Sequence, residues 1–370
     1  MADPADSHPV SNPISPPAGL TDRITAELSA FVTDRAALLA EISADLDPLA
    51  QAARAAVLSG GKRLRPTFAY WGWRCVHPEA AVGEADFVRA AASLELLHAC
   101  ALVHDDVMDN SNTRRGHPTA HVRFSEFHRD RLWPGDGRSF GAAGAILLGD
   151  LLLSWSEELF TAAIGRLPRG RVAAATREFD LMRTEVIAGQ FLDMLAQTRG
   201  AFDPDEAVRV IAYKTSKYTA QRPLLLGAAA AGGSPELVSA LSDFGLLYGE
   251  AFQLGDDLLG VFGDPSRTGK PAGDDLREGK RTLLVALAFQ AATPSQRALL
   301  QAGIGDPALT TAGVARLREV LRQTGAEQQV EQRILRRVTE AASCLDGARL
   351  QPDVRQELLQ LARAAVYRTS

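Results

Sequence analysis

The chain is 370 residues long, 46% apolar and 23% charged, with a formal net charge of -5; this composition supplies a sizeable core and excludes a chain that is disordered throughout. The negative balance excludes a general basic field, so nucleic acid is not a favoured partner. Three widely spaced cysteines, Cys75, Cys100 and Cys344, make neither a disulfide framework nor a zinc pattern and fit a reducing cytoplasm.

The first stretch, MADPADSHPVSNPISPPAG, carries prolines and serines where a signal peptide needs a basic region and then an apolar core. Residues 1–20 are therefore expected to be a disordered leader. From Thr21 onward apolar residues recur at three- and four-residue spacing, as in ITAELSAFVTDRAALLAEI and ADFVRAAASLELLHACALVH, which predicts helices. Further helices are predicted near 141–165, 170–196, 205–214, 217–231, 235–262, 281–291, 295–303, 311–323, 326–345 and 351–366, and nothing reads convincingly as a sheet. Breakers separate them: GG at 60 and 61, RRGHP at 114–118, LWPGDG at 132–137, GGSP at 232–235 and GDPSRTGKPAGD at 263–274. Length alone suggests two domains, but no proline-rich linker divides the body, so 21–370 is expected to form one large all-helical domain. The most membrane-like stretch, AILLGDLLLSW at 145–155, carries Asp150 and is shorter than the roughly 20 residues a bilayer requires. No membrane anchor is expected.

Two acidic pairs stand inside apolar stretches, ALVHDDVMDN at 101–110 and FQLGDDLLGV at 252–261. Carboxylates in such surroundings are costly unless something positive pairs with them. On a helix over 87–109, Asp105 and Asp109 project from one face a turn apart, Asp106 lies beside them, and His98 sits two turns back on the same side. Asp256 and Asp257 stand near the end of a second apolar helix. Either motif alone also reads as a solvated helix end. Two acidic shelves facing each other would suit magnesium, which binds through one or two carboxylates plus substrate phosphates.

A third element, SGGKRLRP at 59–66, sets Lys62, Arg63 and Arg65 behind paired glycines, a point charge and planar forks suited to phosphate. It is not a P-loop, because GxxxxGK[ST] is absent, and alone it also reads as a solvated basic loop. Arg114 and Arg115 place positive charge just beyond the first shelf.

GGKRLRP, then HDDVMDNSNTRRGHPTAH, then YKT at 213–215, then FQLGDDLLGVFGDPSRTGKPAGDDLREGKRT follow one another between Gly60 and Thr282. In order and spacing they resemble the signature blocks of the trans-polyprenyl diphosphate synthases, most of all the bacterial geranylgeranyl diphosphate synthases. The resemblance implies an all-α bundle around a central cavity, a homodimer, and a magnesium-dependent reaction. An allylic diphosphate (dimethylallyl, geranyl or farnesyl) ionises, alkylates isopentenyl diphosphate and loses a proton. By the same resemblance Asp105 and Asp109 would hold two magnesium ions on one side of the allylic diphosphate and Asp256 a third opposite them, with Asp106 and Asp257 completing the acidic motifs. Arg114, Lys214, Lys270 and Lys280 would pair with that diphosphate, with Gln253 and Thr215 nearby. Lys62, Arg65, His98 and Arg115 would hold isopentenyl diphosphate, with Arg63 in the same basic clamp. Released diphosphate is basic enough to take the proton, so no protein base is assigned.

Gln190 and Asp193 in GQFLDM also resemble a family block, although both residue types on a helix are commonly solvated. Asp274 and Asp275 lie in a polar loop before Lys280, where loop ordering is as good a reading as metal contact. His104 reads as a core histidine. One departure stands out: the second acidic motif in full carries a third Asp four residues after its first, and that position is Gly260.

In this family a bulky residue four or five positions before the first Asp stops elongation early. Here those positions are Ala101 and Cys100, both small, with Leu97 a turn below. The expected product is geranylgeranyl diphosphate, with longer products left open. Two rivals remain. A class I terpene cyclase shares the fold but has no use for an isopentenyl clamp, and a non-catalytic subunit of a heteromeric synthase would be expected to lose site residues.

Overall fold

Helices make up nearly all the regular structure of the computed structural model, which describes residues 19–77, 83–200, 202–263 and 273–366. The expected leader lies outside these residues except for Gly19 and Leu20. Helix α1 (Leu20–Ile42) is followed by α2 (Asp47–Leu58), α3 (Leu64–Arg74), α4 (Glu84–Met108), α5 (Ala120–Asp130), α6 (Gly137–Ile164) and α7 (Arg169–Arg199). Then α8 (Pro204–Val210), a π-helical stretch (Ile211–Gln221) and α9 (Arg222–Ala231) run on without a break, and α10 (Pro235–Phe262) follows a short turn. The C-terminal part holds α11 (Asp274–Glu278), α12 (Leu283–Ala291), α13 (Pro294–Gly303), α14 (Thr311–Gln323), α15 (Ala326–Cys344) and α16 (Pro352–Val366).

Local chemistry sets these boundaries. Ser234 caps α10, its hydroxyl accepting from Leu237 N ahead of Pro235 in the first turn, and the Asp136 carboxylate accepts from Arg138 N and Ser139 N to start α6. Glu84 and Asp86 complement the dipole at the start of α4.

Helix α4 is apolar on all sides and is buried accordingly. Leu96, Ala99, Cys100 and Val103 pack toward α1, α2 and α6, whereas Ala90, Leu94 and Leu97 pack toward Phe160, Phe179 and Met182. Both α4 and α6 are long and apolar enough to cross a membrane by length and composition, but most of that stretch of α4 is buried inside the protein. A third apolar cluster gathers α10, α12, α14, α15 and α16 around Phe244, Tyr248 and Leu284.

Several findings depart from the sequence reading. Helix α3 was not foreseen because its residues Leu64–Trp73 are buried apart from Arg65, which leaves no polar face to mark a period. Helix α5 was not foreseen because it buries only Phe124 and His128, and α2 was likewise not foreseen. The breaker LWPGDG at 132–137 falls between α5 and the start of α6. A two-residue hairpin pairs Thr113–Arg114 with His117–Pro118, turning through Arg115 and Gly116 at φ 53 and 77, the double positive φ that such a turn demands.

The predicted helices 205–214 and 217–231 are one continuous run whose middle widens to π geometry, a rarity often found at functional sites. Close backbone contact on two sides holds it. A Cβ on Gly189 of α7 would lie 2.4 Å from Lys214 N, and one on Gly249 of α10 would lie 2.4 Å from Ser216 Cα. Glycine at these positions lets both helices touch the stretch that carries Lys214 and Thr215.

Candidate active site

Asp105, Asp106 and Asp109 end α4. Asp106 is buried and turns to Arg114, whose Nε donates to its Oδ1 at 2.8 Å, while Arg114 Nη2 stands 3.3 Å from Asp105 Oδ2. The hairpin thus folds Arg114 back over the shelf. Gln190 Nε2 donates to Asp105 Oδ1 at 3.0 Å, and Lys214 Nζ donates to Asp193 Oδ2 at 2.7 Å and lies 3.5 Å from Asp105 Oδ1. The GQFLDM block therefore belongs to the shelf rather than to solvent.

The next residue, Thr215, reaches the other way and donates to Gln253 Oε1 at 2.7 Å, and Gln253 Nε2 donates to Asp257 Oδ1 at 2.8 Å. Asp257 is buried, with Asp256 beside it on α10. Lys280 follows α11 and donates to Asp275 Oδ1 at 2.9 Å. Lys270 lies outside the described residues.

Charges from both shelves act on Asp109. Burial and the charge of Asp105 push the Asp109 carboxyl up to about 6, against the pull of both Lys214 and Lys280. Burial, with the charges of Asp275 and Asp256, pushes Asp257 up to about 7 against the bond from Gln253. Burial disfavours the ammonium of Lys214, yet Asp193 and Asp105 raise its pKa above the ordinary value. Burial likewise opposes Lys280, and Asp275 and Glu278 overcome it.

A second cationic pocket adjoins the first. His98 is partly buried, and burial together with Arg65, Arg115, Arg114 and Arg63 drives its pKa well below the ordinary value, which favours the neutral ring. Arg65 lies 4.1 Å over the Tyr218 ring and donates to Thr219 Oγ1 at 3.1 Å. Arg115 donates to the Gly60 carbonyl, and Lys62 is exposed on the segment between α2 and α3. His98 Nδ1 and Arg65 Nε are buried with no protein partner among the described residues. Orphaned polar atoms in a ring of arginines fit an anion.

Arg63 corrects the sequence reading. Its guanidinium is only 5% exposed and donates to Glu95 Oε2 at 2.7 Å and to the Val57 carbonyl at 3.0 Å. With its fork spent on Glu95 and the Val57 carbonyl, Arg63 is placed to brace the loop rather than to join the clamp expected from the sequence. Glu95, an acid in the buried middle of α4, was the overlooked signal for that pair. Also missed were Glu185 and Glu178, which grip Arg222 where the π stretch ends. His104, read as a core histidine, is instead 25% exposed, with its Nε2 3.1 Å from the Ile146 carbonyl and 3.7 Å from Asp150 Oδ1.

Below the first shelf, Ala101 and Leu97 pack in the cluster of Met182, Val186 and a stacked Phe160–Phe179 pair, ring centroids 4.2 Å apart. Cys100 lies in the other cluster, its Sγ 3.8 Å from His104 Nδ1.

No group of three or more His, Cys, Asp or Glu among the described residues could hold a metal ion. Paired carboxylates on opposed shelves, with cations for an anion between them, fit magnesium, whose coordination is completed by water and substrate phosphate.

The polyprenyl synthetase family model matches residues 47–321. The chain belongs to the polyprenyl synthetase family. Members use isopentenyl and allylic diphosphates and depend on magnesium. A short chain isoprenyl diphosphate synthase of Methanothermobacter thermautotrophicus is 33% identical over 87% of this chain and 91% of its own. An octaprenyl diphosphate synthase of Escherichia coli is 32% identical over 94% and 98%. The crystal structure of a geranylgeranyl pyrophosphate synthase from Corynebacterium glutamicum, complexed with isoprenyl diphosphate and magnesium, matches this chain with a TM-score of 0.90 at 40% identity. That match covers 95% of this chain and 99% of the other.

Proposed function

We propose that the protein is a magnesium-dependent trans-prenyltransferase that adds isopentenyl diphosphate head-to-tail to allylic diphosphates, with geranylgeranyl diphosphate as main product. The observation that carries this reading is the position of Asp109, within electrostatic reach of both Lys214 and Lys280. The two shelves and their lysines therefore surround a single space. A diphosphate carries about three negative charges, so burying it demands this density of cations together with metal.

Asp105 and Asp109 would hold two magnesium ions, and Asp256 a third from the opposite shelf. Bound magnesium supplies Lewis-acid stabilisation of the charge that develops on the leaving diphosphate. Arg114, Lys214 and Lys280 bind the same group, with Lys270 assigned there from the sequence. Asp106 aims Arg114, and Gln253 aims Thr215 toward the developing allylic cation. Lys62, Arg65, Arg115 and neutral His98 hold the diphosphate of isopentenyl diphosphate, which sets its double bond beside the allylic carbon. The released diphosphate accepts the proton.

Small Ala101 opens the path for a growing tail past the first shelf, and Leu97, a turn of about 5.4 Å below, begins the floor. Residues 21–370 act as one catalytic unit in the cytoplasm. Large apolar side chains exposed on α6 (Phe140, Ile146, Leu147) and on α7 (Ile187, Phe191, Met194) support a homodimer.

The test incubates purified protein with magnesium, isopentenyl diphosphate and each allylic primer in turn, then weighs the dephosphorylated products. Geranylgeraniol as the main alcohol is expected. A farnesol stop would overturn the length assignment, cyclic hydrocarbon formed without isopentenyl diphosphate would replace the transferase by a cyclase, and no turnover would overturn the reading.

A further inference from the structure

One carboxylate of α7 joins two cations at the end of the π-helical stretch. Glu185 Oε1 accepts from Lys217 Nζ at 2.6 Å and from Arg222 Nη2 at 2.8 Å, and Glu185 Oε2 accepts from Arg222 Nε at 2.7 Å. Glu178, two turns earlier on α7, accepts from Arg222 Nη1 at 2.7 Å. Glu185 is only 13% exposed. Burial pushes its carboxyl up, and the bonds from Arg222 and Lys217 outweigh that and hold it below the ordinary value.

Lys217 and Arg222 are five residues apart. On an α-helix that separation turns their side chains about 140° from each other. A π turn closes between residues five apart, and here Arg222 N donates to the Lys217 carbonyl. The wide turn thus brings both cations to one face, where Glu185 meets them together.

The width of that turn matters to the site. Beyond it α9 is fixed against α3, since a Cβ on Gly227 would overlap the Ala69 carbonyl and one on Gly72 the Leu224 carbonyl. An α turn in place of the π turn would rotate everything before it by one residue step of about 100° relative to α9. Lys214 would then leave Asp193 and Asp105, and Thr215 would leave Gln253.

We propose that Glu185 is a positioning residue for prenyl transfer: by binding Lys217 and Arg222 at once, it holds the π register that turns Lys214 to the first acidic shelf and Thr215 to Gln253. The proposal rests on the prenyltransferase reading of that site.

Glu185→Gln, Lys217→Gln and the double variant test it, through steady-state prenyl transfer, melting temperature and the crystal structure of Glu185→Gln. Each single variant is expected to lower kcat about tenfold. KM for isopentenyl diphosphate, whose cations stand outside the π stretch, is expected to stay within about twofold of the parent. The double variant should be no worse than Glu185→Gln, because both changes disable one device. In the Glu185→Gln crystal structure, Arg222 N is expected to leave the Lys217 carbonyl for that of Tyr218. A lower melting temperature with kcat unchanged in both single variants would reduce the network to a brace for α7 and overturn the proposal. So would losses in kcat that multiply in the double variant, or an Arg222–Lys217 backbone bond that survives in Glu185→Gln. A parent without prenyl transfer would sink the reading of the site and the proposal with it, whereas an active parent with unimpaired variants sinks the proposal alone.

Discussion

The hydroxyl of Thr215 donates to Gln253 Oε1 at 2.7 Å, which ties the π-helical stretch to α10 just ahead of the Asp256–Asp257 pair. Removing that bond by Thr215→Val is expected to cost about 1 kcal/mol of stability. Loss of alignment between the shelves should lower turnover about tenfold or more. Thr215→Ser keeps the hydroxyl and should recover most of the activity. Equal kcat in the Val and Ser variants would show that the bond orients nothing.

The close approach at Gly249 makes a second prediction. A methyl group there meets Ser216 Cα at 2.4 Å, a backbone atom that cannot swing aside. Gly249→Ala should destabilise the protein by about 1–3 kcal/mol and reduce kcat by displacing Lys214 and Thr215. Denaturant melts and steady-state rates check both effects.

Arg63 and Arg65 are two residues apart and should fail differently. Arg63→Ala strands buried Glu95 and is expected to cost about 3–5 kcal/mol. Arg65→Ala removes a cation from the second pocket, so the melting temperature should hold while KM for isopentenyl diphosphate rises. A large rise in that KM for a fully folded Arg63→Ala would restore Arg63 to the substrate clamp.

The raised carboxyls of Asp109 and Asp257, at about 6 and about 7, set a pH dependence. Because both lie above the ordinary carboxylate value, their contribution to metal-free stability is present at acid pH and lost as pH rises through about 6 and then about 7. Lowering the pH from about 8 to about 5.5 should therefore raise the metal-free melting temperature as far as these two groups decide it. Magnesium competes with those protons, so the midpoint of its stabilisation in diphosphate should improve in the opposite direction. Asp257→Asn should flatten the upper part of the metal-free profile.

Product length should respond to Ala101. In Ala101→Phe a phenyl ring enters the cluster with Leu97, Met182 and Val186, and the main product is expected to shorten to farnesyl diphosphate or less. An unchanged product distribution would move the tail to another path.

Much of this was legible in the residue order because helical period and acidic spacing are local properties. Asp105 and Asp109 share a face by arithmetic alone, and the all-helical class follows from apolar spacing. What stayed hidden depends on contacts between distant segments. The sequence places Arg63 and Arg65 in one basic run, and only the fold, by setting Glu95 against one of them, gives them different tasks. The π geometry at 211–221 arises from glycines on two other helices, and no pattern within IAYKTSKYTAQ announces it. Asp193 and Gln190 resemble a family block, but nothing along their own helix shows that they meet Lys214 and Asp105.

Lys214 and Thr215 are consecutive, and their side chains grip opposite sides: Asp193 and Asp105 on one, Gln253 on the other. A single peptide bond therefore couples the two walls mechanically. Drawing α4 away from α10 as rigid rods would stretch both grips at once, which opposes parting the walls. Substrates and products must then pass along the walls and over their rim, and the backbone amides of α4 and α10 should exchange with solvent as one slow unit throughout a catalytic cycle.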